Sequence, residues 1–74
     1  MIEGLSALEL RSVATGGGSL HVNGMQFSPL ELRSIATGLT SGSILIISNA
    51  KRFSAIDMRS IATGADESAT VLFQ

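Results

Sequence analysis

The chain has 74 residues, 45% of them apolar, with three Phe, no Trp, Tyr or Cys, and a net charge of −1. That size bounds it to one small domain near the limit for an unaided hydrophobic core, with no disulfide or thiolate metal site to staple it. The charge argues against a general nucleic-acid binder, and no apolar run approaches the ~20 residues that span a bilayer.

The N-terminal MIEGLSALEL has neither the basic start nor the long apolar stretch of a secretory signal. Together with the lack of Cys, this points to a cytoplasmic protein. Aliphatic packing must carry the fold, and at this length its gain nearly cancels the entropy of ordering. Self-association, a dimer above all, or another protein partner is therefore expected to supply missing burial.

The first element opens a phrase that recurs: LSALELRSVATG at 5–16, FSPLELRSIATG at 27–38 and FSAIDMRSIATG at 53–64, offset by 22 and then 26 residues. Such a period marks repeated units that bury their apolar sides against one another. Units of about 5–26, 27–52 and 53–74 divide the single domain.

Each phrase reads as a short helix. Ser6, Ser28 and Ser54 stand at the N-cap, with Glu9, Glu31 and Asp57 three residues on. This is the capping box, in which hydroxyl and carboxylate each bond the other residue's amide; the shorter Asp57 should close less well. Leu5 with Leu10, Phe27 with Leu32 and Phe53 with Met58 form hydrophobic staples, and Pro29 sits at N1. Gly16, Gly38 and Gly64 fall where a left-handed C′ residue ends a helix.

After the helices come strand-like runs, Ser19–Val22, Ser43–Ser48 and Ala69–Phe73, bounded by Gly and Ser. The order is αβαβαβ: an α/β repeat of three parallel strands with all three helices on one face, as right-handed crossovers require. The wheel places Leu10, Val13 and Ala14, then Leu32, Ile35 and Ala36, then Met58, Ile61 and Ala62 against the sheet. Alternation puts Leu20, Val22, Ile44, Ile46, Val71 and Phe73 beneath them. The opposite sheet face then carries His21, Leu45, Ile47, Thr70 and Leu72, apolar enough to need cover, so His21, Leu45, Ile47 and Leu72 are the expected interaction surface.

The stretch Ser43–Gly64 resembles a leucine-rich repeat of the long, helix-containing kind. Ile44, Ile46 and Asn49 look like its L-x-L-x-x-N core, and Phe53, Ser54, Met58, Ile61 and Ala62 like its convex helix. Leu20, Asn23, Phe27, Ser28, Leu32, Ile35 and Ala36 match in the preceding unit, where Gly18 replaces the first strand Leu. The resemblance implies a solenoid in which Asn23 and Asn49 satisfy backbone groups and the concave sheet face binds partners.

Arg11, Arg33 and Arg59 recur at one helical position. They form either an anion-binding column or a set of register-fixing pairs with Glu9, Glu31 and Asp57 of neighbouring helices, each worth about 0–1 kcal/mol. Leu8, Leu30 and Ile56 recur about 160° around the wheel from Leu10, Leu32 and Met58. They either pack between neighbouring helices, favoured so near a helix start, or make a contact stripe beside the arginines.

His21 stands alone, the serines lack a hydrolase context, and Gly16–Gly18 leads into a strand rather than a helix. No catalytic residue, metal site or cofactor site is indicated. The expected function is a non-enzymatic interaction or self-assembly module, with an anion- or nucleic-acid-binding accessory protein using the arginine column as the alternative. A third reading is a fragment or an end module of a longer solenoid, since the last strand runs to Gln74 without a cap.

Overall fold

The computed structural model describes residues 2–74. Its order is α1 (Ala7–Thr15), β1 (Leu20–Asn23), α2 (Pro29–Thr37), β2 (Ile44–Ser48), α3 (Ala55–Thr63) and β3 (Thr70–Phe73), with 3-10 turns at Gly24–Gln26 and Ala50–Arg52. The strands form one open parallel sheet in the order β1-β2-β3, as the alternating pattern predicts.

Local chemistry sets the helices. All three capping boxes close: Ser6, Ser28 and Ser54 accept the N3 amide, and Glu9, Glu31 and Asp57 take back the N-cap amide. The back-bond is 2.9 Å to Glu9 and Glu31 but 3.3 Å to Asp57, one methylene shorter. Nine residues per helix are marginal alone, so the helices depend on the sheet and on one another.

The closing glycines have a different reason from the expected one. Gly16, Gly38 and Gly64 have φ of −75°, −78° and −68°, so none is left-handed. Gly38 and Gly64 are instead sites of close approach. A Cβ at Gly38 would lie 2.8 Å from Arg11 Cγ and 3.0 Å from Arg11 O; at Gly64 the same distances fall on Arg33. Successive helices touch through these bare backbones.

The strand phase is also corrected at β2. Leu20 pairs with Leu45 and Val22 with Ile47, while Leu45 pairs with Val71 and Ile47 with Phe73. Paired residues of parallel strands share a face, so Leu45 and Ile47, both 0% exposed, lie in the core. Ile44 and Ile46 take the outer face instead.

The cause is one added residue. Asn23 pairs with Ser48, yet Asn23 and Asn49 both lead into the following 3-10 turn. Asn49 is extra, held left-handed at φ 59°, a conformation Asn tolerates better than most residues. One inserted residue flips every side chain before it to the other face.

The core runs between the helix layer and the inner sheet face: Leu10, Leu32, Ile35 and Ile61 above, with Leu20, Val22, Leu45 and Ile47 below, and Phe27 and Phe53 closing one end. Phe27 and Phe53 are buried at the staple position, whereas Leu5 is exposed. Two other residues expected in the core lie outside it, Val13 at 43% exposure and Ala62, also exposed.

Candidate functional site

Three surfaces hold the residues that recur or cluster outside the core. The first is the outer sheet face, with His21, Ile44, Ile46 and Leu72. His21 Nε2 is hydrogen-bonded to Ser48 Oγ on the neighbouring strand, which commits the one histidine to cross-strand pairing. Of the four expected interaction residues, only His21 and Leu72 reach this face; Leu45 and Ile47 do not.

The second surface is the outside of the helix layer. Leu8, Leu30 and Ile56 are 76%, 77% and 80% exposed. At that exposure they do not pack between helices. The repeat sets them in a row across three adjacent helices, one per unit.

Beside them run the arginines. Arg11 Nη1 donates to Ser34 Oγ and Arg33 Nη1 to Ser60 Oγ, each at 3.2 Å. Serine, not the expected carboxylate, is the partner across each seam, since Glu9, Glu31 and Asp57 are turned back onto their own caps. Glu9 is held below the ordinary carboxylate range by the Ser6 amide, then by the Ser6 hydroxyl. Arg59 stands at the same place on α3, with no following helix among the described residues.

The third surface is a hollow of about 410 Å³ lined by Met25, Asn49, Lys51, Arg52 and Gln74. It opens at the carboxyl ends of the strands, where open α/β sheets tend to place ligands. Arg52 Nη1 donates to Met25 O at 3.3 Å, and its guanidinium stacks 4.8 Å from the Phe53 ring centroid. Asn49 Nδ2 donates to Asn23 Oδ1 at 2.8 Å. Sequence reasoning missed this place; its signal was Lys51–Arg52, the only adjacent cations in the chain.

Among the described residues no group of three or more His, Cys, Asp or Glu could hold a metal ion, and no helix is long and apolar enough to cross a membrane. The chain matches no protein-family model, no curated protein and no solved structure.

Proposed function

We propose that this chain is a non-enzymatic protein-interaction or self-assembly module. The observation that carries this reading is the row of Leu8, Leu30 and Ile56, each more than three-quarters exposed. Single exposed apolar residues are ordinary. A row repeated at one helical position, in a fold that makes no internal use of it, favours a contact surface. Arg11, Arg33 and Arg59 alongside would supply the polar rim that interfaces use.

The same geometry weakens the anion-column alternative, because two of the three guanidinium groups already reach across to serine. The test is Leu30→Asp at the centre of the row. Leu30 is 77% exposed, so the melting temperature should hold, while binding of a hydrophobic fluorescent dye to the native protein should fall. Unchanged dye binding would sink the reading of this row as a contact surface. Binding of polyphosphate or RNA, lost in Arg33→Glu, would favour the alternative.

A further inference from the structure

The two seams inside the molecule are copies of each other, and the two ends of the helix layer carry the separated halves of a third. At each seam an arginine of the earlier helix reaches a serine of the later one, Arg11 to Ser34 and Arg33 to Ser60. The later helix offers its glycine to the same arginine and to a threonine. A Cβ at Gly38 would lie 3.2 Å from Thr15 Oγ1, and one at Gly64 3.1 Å from Thr37 Oγ1.

Burial shows which way each residue faces. Val13, Ile35 and Ile61 are equivalent, and only Val13, with no helix before it among the described residues, is exposed. Ala14, Ala36 and Ala62 are equivalent, and only Ala62, with no helix after it among the described residues, is exposed. The first of these positions therefore faces the preceding helix and the second faces the following one.

We infer that copies of this chain stack head to tail, the α3–β3 end of one docking against the α1 end of the next. This rests on the self-assembly half of the proposed function and names both its partner and its surface. The α3 end presents Arg59, Ala62 and Thr63 beside a hollow of about 380 Å³, whose floor is Ala62, Ala65, Ala69 and Val71 and whose rim includes Asp66 and Glu67. The α1 end presents Ser12, Val13 and Gly16, all exposed. Arg59 reaches Ser12 of the next copy, Val13 of that copy enters the hollow on its alanine side, and its Gly16 receives Arg59 and Thr63. Gly16 has no close-approach partner within its own chain: a Cβ there meets only its own helix, 3.4 Å from Val13 O.

The sheet takes part as well. The outer edge of β1 is occupied by Ile2, whose N–H donates to His21 O at 2.8 Å and which forms an isolated parallel bridge with Val22. In the stack this edge belongs to β3 of the preceding copy. A four-residue strand replaces one bridge, and the free edge of β3 gains a partner. Such a contact is heterologous, so it propagates instead of closing at a dimer.

The test is sedimentation velocity on the full chain from low to high micromolar concentration. The mass should climb without a plateau at the dimer. Gly16→Leu should melt as dilute wild type does, because a Cβ there makes only ordinary contacts with its own helix, yet remain monomeric. Arg59→Glu should be monomeric too. An equimolar mixture of the two variants should form a dimer and nothing larger, since each blocks one end and leaves the other open.

Should Gly16→Leu fail to fold, Val13→Glu at a 43% exposed site blocks the same end and takes its place in the mixture. A wild type that stays monomeric, a wild type that stops at a dimer, or a mixture that stays monomeric overturns the inference. Leu30→Asp separates it from the contact-row reading, for that variant should still stack. Assembly lost in Leu30→Asp but kept in Gly16→Leu would assign self-association to the row and overturn end-to-end stacking.

Discussion

The middle unit and the two outer units contain almost the same phrase and live in different environments. On α2, Ile35 and Ala36 are both 0% exposed. On α1 the Ala position is buried and the Val position is not; on α3 the Ile position is buried and the Ala position is not. Identical local instructions build identical helices, but neighbours decide what each helix buries. In a repeat, burial belongs to the seam and not to the unit.

The sharpest way to probe that contrast is to shave the same position in two units. Ile35→Ala removes a fully buried side chain and should cost about 2–5 kcal/mol. Val13→Ala should stay nearer ~0.5 kcal/mol, read as a shift in denaturation midpoint at unchanged slope. Equal losses would mean that the first unit is packed as tightly as the second.

The next largest difference is expected at the glycines. Gly38→Ala places a Cβ 2.8 Å from Arg11 Cγ and 3.0 Å from its carbonyl oxygen. Prising the helices apart should cost about 1–3 kcal/mol. Gly16→Ala has ordinary φ, and its Cβ would make only ordinary contacts of 3.4 Å or more with its own helix, so reduced unfolded-state freedom should leave it neutral or stabilised by up to ~1 kcal/mol. Thermal melts on dilute protein decide between them, and a loss at Gly16 matching that at Gly38 would contradict the contrast.

The smallest effect is at the caps, where the units differ least. Glu9 is held below its ordinary range in the folded chain by hydrogen bonds from Ser6. A depressed carboxylate contributes stability that is present above its unfolded value and is lost as pH falls through its folded one. Glu9→Gln should therefore flatten the acid limb of a melting-temperature profile slightly and leave the neutral region nearly unchanged. An identical acid limb would show that the box does not couple to folding.

Much of this was legible because it is local. Ser6 to Glu9 is a contact three residues long, so the caps, the helix ends and the αβ alternation can be read from spacing alone. What escaped depends on elements distant in the chain. The strand ILII in β2 is apolar in both phases, so alternation carries no information there, and only the paired register shows Leu45 and Ile47 turned inward. The glycines do close the helices, but at the cap itself and not at the left-handed residue beyond it, since a helix-ending Gly looks the same in sequence whether it serves backbone conformation or a neighbour's approach. The arginines' choice of serine over carboxylate follows from the caps having already used the acids. The hollow beside Lys51 and Arg52 forms only when the strand ends are gathered together.

The residue inserted at Asn49 has a consequence for how the chain folds. A strand apolar on both faces can be laid down in either of two phases with similar burial, so the hydrophobic effect by itself does not choose between them. The choice is left to a single turn, where Asn49 takes its left-handed conformation and its amide meets Asn23. Correct registration of the central strand thereby rests on polar groups at its exit rather than on the apolar burial along its length.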